Sequence, residues 1–114
     1  MLVVAYDEHL AARIRALLEG GPGLTEKAMF GGLAFLIDRH MAVAALSRGA
    51  MMVRVGADEA EAFLADGDGA RPMEMRGRVM TGWLEVDPAG VTSDEDLGRW
   101  VDAGVAHART LPPK

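Results

Sequence analysis

The residue types that usually carry catalysis are few in this 114-residue sequence, and their spacing does not suit it. No two of its three histidines, His9, His40 and His107, lie two or four residues apart, as metal-binding hairpins and helices require. Cysteine is absent, which excludes thiolate nucleophiles, disulfides and cysteine-ligated zinc. Serine occurs only as Ser47 and Ser93, outside any Gly-x-Ser-x-Gly nucleophile elbow. We therefore predict a non-catalytic protein with no metal site and no cofactor, in which His40 is a solvated turn residue.

Basic residues form the more informative set, because five of them fall in or beside predicted strands. They are Lys27, Arg54, Arg71, Arg76 and Arg78. The planar fork of arginine suits phosphate and carboxylate groups, so these side chains would bind an anion if they met on one face. The alternative is surface ion pairing with the seventeen acidic residues of the chain.

Charge and composition limit the partners. A net charge of −5 disfavours tight, sequence-independent binding to nucleic acid or anionic lipid, although it does not exclude a local basic patch. The apolar start at residues 1–5 is too short for a signal peptide or a membrane span. We expect a cytoplasmic protein, not attached to a membrane, that folds as a single domain over residues 1–114.

Apolar residues recurring at spacings of three and four predict three amphipathic helices. The first runs from Asp7 to Glu19 and stops at a glycine-rich segment. The second runs from Ala57 to Asp66, with acidic residues near its positively polarised start. The third opens at Ser93, where Asp96 completes a capping-box pattern, and ends at Leu111 before two prolines.

Short apolar runs separated by turn residues predict strands between these helices. The expected ranges of a four-stranded meander are Leu24 to Phe30, Leu33 to Asp38, Met41 to Leu46, and Ala50 to Val55. Gly31-Gly32 predicts a bulge or a sharp bend, and one or two further strands are expected between residues 73 and 86. The predicted class is α+β, with the N-terminal, middle and C-terminal helices packed on a mainly antiparallel sheet.

Methionine is abundant, and seven of the eight methionines fall in or beside predicted strands. Most should fill the core. Because methionine also makes adaptable contact surfaces, Met52 and Met80 would mark a partner or dimer face if they pointed outward. Trp83 and Trp100 are expected to anchor the core, since no other aromatic residue is spaced to build a base-stacking platform.

Several strings of the sequence are similar to one known family. They are Thr25-Glu26-Lys27-Ala28-Met29-Phe30-Gly31-Gly32, Phe35-Leu36-Ile37-Asp38, Met52-Val53-Arg54-Val55-Gly56, Arg71-Pro72-Met73 and Gly82-Trp83. Together they resemble the N-terminal domain of the TfoX/Sxy proteins over roughly Tyr6 to Pro113. The string Met29-Phe30-Gly31-Gly32, with its downstream spacing, is fairly specific.

The namesakes of that family regulate competence for DNA uptake and are thought to act with the cyclic AMP receptor protein at promoters. The resemblance implies a regulatory or binding role and supplies no active-site residues. It also implies a short, single-domain member that lacks the helical C-terminal domain of those regulators. The leading hypothesis is a non-catalytic interaction module that binds a protein partner and, as a homodimer, itself. The alternatives are a nucleic-acid or anionic small-molecule contact through the five basic residues.

Overall fold

The structure, a computed structural model, describes residues 6–29, 31–66 and 69–112, and of Met75 only the backbone. Within these ranges the chain forms three α-helices and one six-stranded β-sheet. The helices are α1 (Glu8–Leu18), α2 (Ala57–Asp66) and α3 (Asp94–Thr110). The strands are β1 (Leu24–Met29), β2 (Gly32–Ile37), β3 (His40–Ala45), β4 (Met51–Arg54), β5 (Ala70–Met75) and β6 (Arg78–Val86). The predicted α+β class is confirmed.

The helix starts follow the capping signals in the sequence. Asp7 precedes α1 and accepts a hydrogen bond from the backbone N–H of Leu10 at 2.9 Å. Ser93 precedes α3 and accepts one from the N–H of Asp96 at 3.0 Å, as its capping pattern predicts. Such caps satisfy N–H groups that the first turn of a helix leaves unpaired.

Every neighbouring pair of strands in the sheet is antiparallel, and the order is β1-β2-β3-β4-β6-β5. The first four strands form the predicted meander. The hairpin of β5 and β6 then joins through its second strand, so β6 pairs with β4 and β5 lies at the outer edge. Within the described ranges, β1 and β5 are therefore the two edges of the sheet.

The glycine pair marks a hairpin, so the predicted sharp bend is confirmed. β1 and β2 meet at the pair Met29 and Gly32, and Gly31 has a φ of 73°. A side chain at Gly32 would place its Cβ 2.5 Å from the carbonyl oxygen of Ala45, so only glycine fits there. The register shifts of the sheet lie elsewhere, between Phe35 and Leu36 and between Pro72 and Met73.

One face of the sheet carries all three helices. Leu10 and Ile14 of α1, Ala60 of α2, and Trp100 of α3 share one buried cluster with the strand residues of that face. The strand residues are Leu33, Phe35, Val43, Ala45, Met51, Val53, Leu84 and Val86. We call this the helix-covered face. The expectation that Trp100 anchors the core is confirmed, since its side chain is fully buried.

The prediction that His40 is a solvated turn residue is wrong. Asp38 and Arg39 both have positive φ, 51° and 72°, and these two residues complete the turn between β2 and β3. His40 therefore begins β3, is 7% exposed, and has its Nε2 atom 2.5 Å from the carbonyl oxygen of Pro112. A carbonyl oxygen only accepts, so Nε2 carries the proton and donates it. The contact attaches the segment after α3 to the sheet.

Candidate functional site

The second face of the sheet is apolar, and no described helix contributes to it. Residues directly opposite one another in a sheet share a face, and one such row runs Lys27, Ala34, Ala44, Met52, Glu85, Arg71 across the six strands. The apolar cluster there consists of Met29, Ala34, Leu36, Met41, Ala44, Leu46, Met52, Met73 and Trp83. We call this surface the Met-rich face.

The centre of the Met-rich face is buried and its margin is partly open. Met52 is 1% exposed, so it does not point outward as a partner-facing methionine would. Met73 and Trp83 are half-buried and pack against the cluster. Met80 is half-buried as well, but it lines a groove between α2 and the β5–β6 hairpin. Of the resemblance string, Met29 belongs to this face and Phe30 lies outside the described residues.

The five basic residues do not all lie together. Lys27 and Arg71 occupy the two ends of one cross-strand row, about 24 Å apart along the sheet at a strand spacing of about 4.8 Å. Arg54 lies between them on the same face. Arg76 falls in the turn between β5 and β6, and Arg78 is the first residue of β6. The structure thus places three of the five on the Met-rich face and two at the end of the β5–β6 hairpin.

Ion pairing, the alternative to anion binding, applies to one member of the set. The guanidinium of Arg71 lies between the carboxylates of Glu85 and Asp87 and bonds both. The hydrogen bond to Asp87, followed by the charges of both carboxylates, raises the pKa of Arg71. Within the described ranges, the ion pairs include neither Lys27 nor the remaining three arginines. None of these four cations therefore has a carboxylate partner in the part of the chain that the structure describes.

Arg54 is held by an aromatic ring. It stands opposite Trp83 in the pairing of β4 with β6, and its guanidinium carbon lies 5.2 Å from the centre of the indole. Such a cation–π contact fixes the planar group and leaves its N–H donors available. Trp83, which was expected to anchor the core, is half-buried and packs on the Met-rich face.

A cavity of about 700 Å³ opens at one end of this face. Arg48 and Arg71 line it together with the two carboxylates that bond Arg71, and Met73 contributes apolar surface. Arg48 has a φ of 61°, an unusual value for a residue other than glycine. Sequence reasoning missed Arg48, because its position between Ser47 and Gly49 indicates only a turn. No signal in the sequence shows that this turn borders the strand that carries Arg71.

Two further observations concern the described residues as a whole. None of their helices combines the length and the apolar character needed to cross a bilayer. No group of three or more histidine, aspartate or glutamate side chains among them is placed to hold a metal ion.

The chain was compared with known proteins. No curated protein matches its sequence. The family model of the TfoX N-terminal domain matches residues 16–108. That span includes the hairpin glycines, all six strands of the sheet and most of α3. Because the match covers most of the chain, the protein belongs to the TfoX N-terminal domain family.

Proposed function

We propose that the protein is a non-catalytic regulatory module that binds a protein partner in the cytoplasm. The observation that carries the proposal is the family match over residues 16–108, because the namesakes of that family are regulators. A role in competence is the most specific form of the same proposal. The Met-rich face is the surface on which we place the partner.

Three features of the Met-rich face support this placement. Its margin is formed by half-buried Leu36, Met73 and Trp83, and methionine and tryptophan side chains are frequent in protein interfaces. No helix among the described residues packs on it. Lys27 and Arg54 border it, have no carboxylate partner among the described residues, and would favour an acidic partner.

The test is capture of a partner by the tagged protein from an extract of its own cells, followed by a binding measurement with the purified partner. Met73→Lys places a charge on the margin of the Met-rich face and should weaken binding at least about ten-fold, as loss of an interface anchor does. Leu17→Lys is the matched control. Leu17 is 48% exposed on α1, on the other side of the sheet. A partner that both variants bind equally would contradict the placement on the Met-rich face, and no partner at all would contradict the proposed function.

Self-association through the same face is a second form of the proposal. Sedimentation velocity over a range of concentrations measures it. A dimer that Met73→Lys weakens and Leu17→Lys does not would support it, whereas a monomer at every concentration would remove it.

Anionic small-molecule binding is a second candidate, favoured by the guanidinium of Arg48 on the cavity. Arg48 would hold a phosphate or carboxylate and Met73 would contact an apolar body, while Arg71 stays paired with Glu85 and Asp87. Thermal unfolding with a panel of anionic metabolites tests this. A stabilising compound should lose its effect in Arg48→Ala and keep it in Arg78→Ala, a control that removes the same charge outside the cavity. No stabilisation by any compound would argue against this function.

A further inference from the structure

The two edges of the sheet differ in their capacity to accept another strand. At β5, Pro72 has no N–H to donate, and the register shift between Pro72 and Met73 interrupts the ladder. β1 has no proline, and it pairs with β2 in unbroken register from Leu24 to Met29. Its four central residues are exposed. β1 is therefore the open edge among the described strands.

A hydrogen bond at the start of β1 shows which of its backbone groups face outward. The N–H of Asp38 donates to the carbonyl oxygen of Gly23 at 3.0 Å, so the polar groups of Gly23 point toward β2. In an antiparallel ladder this direction repeats at every second residue, so Thr25 and Lys27 also bond β2. The outward groups belong to Leu24, Glu26 and Ala28.

Of the two charged residues of β1, Glu26 has an ion-pair partner and Lys27 has none among the described residues. Arg15 of α1 donates from Nε and Nη2 to the two carboxylate oxygens of Glu26, at 2.7 and 2.8 Å. This pair fixes the strand to the helix and places a positive charge beside Glu26. Lys27 faces the opposite side and belongs to no ion pair of the described residues. The open edge thus presents one uncompensated positive charge.

A second copy of β1 fits this edge poorly. In a two-fold antiparallel pair, the two registers with the longest overlap set the Glu26 side chains of both copies, or the Lys27 side chains of both, directly opposite each other. Like charges at that position are destabilising. Registers centred on Thr25 or Ala28 avoid this, but they leave only three residues of each strand paired.

We propose that β1 binds an extended segment of a different protein, which adds a strand to the sheet and sets an acidic residue opposite Lys27. The residues two positions away on either side of that acid would lie opposite Thr25 and Met29. β-Branched or aromatic side chains there extend the Met-rich face. Backbone hydrogen bonds supply the affinity, and the side chains supply the selectivity. The inference rests on the proposed function, because it names the edge and the chemistry by which a protein partner binds.

The test selects peptides of about seven residues, the length of a typical strand, from a displayed random library, with Ala28→Pro as the counter-target. Proline at this position removes an outward N–H and leaves the hydrogen bonds to β2 in place. The enriched peptides should carry Asp or Glu with β-branched or aromatic residues two positions away. Their affinity should fall about ten-fold on Ala28→Pro, the loss expected for one backbone hydrogen bond. No enriched peptides, or equal binding to both proteins, would overturn the proposal.

A charge reversal tests the same edge if Ala28→Pro does not fold. Lys27→Glu should reject the acidic peptides and bind versions in which the acid is replaced by lysine. Arg78→Glu makes the same change of charge on β6 and should leave the original preference intact. If Lys27→Glu also leaves it intact, the proposed contact with Lys27 is wrong.

Hydrogen exchange locates the bound peptide on the strand. The amide N–H groups of Glu26 and Ala28 should exchange about ten-fold more slowly in the complex, because they gain partners there. Those of Thr25 and Lys27 should change little, since both already bond β2. Protection elsewhere, with Glu26 and Ala28 unchanged, would exclude strand addition at β1.

These experiments separate the inference from the proposed function. A natural partner that binds Ala28→Pro normally but not Met73→Lys would contradict docking on β1 and leave the proposed function standing. If neither the wild-type protein nor any variant captures a partner, the proposed function itself fails.

Discussion

The two faces of the sheet are both apolar, but they are built from different side chains and covered differently. The helix-covered face is filled by branched and aromatic residues such as Phe35, Val43 and Trp100, all fully buried. The Met-rich face uses alanine and methionine, and its cluster includes no residue of the described helices.

This difference assigns the two faces different roles, one in the stability of the fold and the other in binding a partner. Branched and aromatic side chains have few rotamers and pack in one arrangement, so the helix-covered face specifies the fold. Methionine is unbranched and flexible, so a surface rich in it adjusts to another surface at low cost. We expect substitutions on the first face to act mainly on folding, and those at the margin of the second mainly on binding.

The largest effect should come from Phe35, which is compared with its neighbour Leu36 because the two side chains of β2 point to opposite faces. Phe35→Ala should cost about 3–5 kcal/mol of unfolding free energy, because it empties a fully buried site. Leu36→Ala should cost about 1–2 kcal/mol, since Leu36 is only half-buried on the Met-rich face. Denaturant unfolding of both variants measures this, and equal losses would break the distinction between the faces.

A glycine of α3 tests how closely the helix layer approaches the sheet. A Cβ at Gly104 would lie 2.4 Å from the carbonyl oxygen of Ala42 and 2.9 Å from Cγ1 of Val43. Gly104→Ala should therefore displace α3 from β3 and cost about 1–3 kcal/mol.

Gly98 of the same helix is the matched control. A Cβ there has no neighbour within 4 Å, so Gly98→Ala should stabilise the protein by about 0.5–1 kcal/mol through helix propensity. Thermal unfolding distinguishes the two variants by the sign of the change in Tm. A stabilising Gly104→Ala would mean that α3 lies farther from the sheet.

On the Met-rich face, loss of an exposed ion pair should matter little to folding. The side chain of Arg71 is 50% exposed, so Arg71→Ala should cost no more than about 1 kcal/mol, even though it bonds two carboxylates. The cost should shrink with added salt, which screens exposed charges. Urea unfolding at low and high ionic strength checks this. A larger, salt-independent loss would show that this face contributes to the folded core.

The smallest effect should be the pH dependence at the edge of the sheet. The hydrogen bond from Arg15, with its positive charge, lowers the pKa of Glu26. A carboxylate with a lowered pKa stabilises the folded state above its ordinary pKa, and this contribution is lost as pH falls through the lowered value. The Tm of the wild type should therefore be slightly higher than that of Glu26→Gln at neutral pH, and the two Tm values should converge at acidic pH. A constant difference would contradict the pairing.

Local features of the fold could be predicted from the sequence. The residues at Asp7 and Ser93 cap their own helices, and α2 begins and ends where its pattern indicates. His40 was predicted to lie in the turn before the third strand, but β3 begins at His40. Asp38 and Arg39 both have positive φ in that turn, and neither residue type indicates this conformation as strongly as glycine does.

The candidate site was predictable only in part. The sequence places Lys27 and Arg54 on strands and Arg71 just before one, whereas β5 begins at Ala70 and includes Arg71. It does not show that these three residues share a face while the remaining two lie at a hairpin end. Arg48 and Arg71 line the same cavity although they are far apart in the sequence. Sheet order decides such neighbours, and no local pattern encodes it.

The sequence by itself determined the helices, the hairpin at the glycine pair and the family, because caps, glycines and apolar spacing act over a few residues. Tertiary structure decided that β6 rather than β5 joins β4, which face the helices cover, and which edge of the sheet stays open. These outcomes depend on contacts between residues far apart in the chain, whose energies are realised only when the whole sheet and its helices pack together.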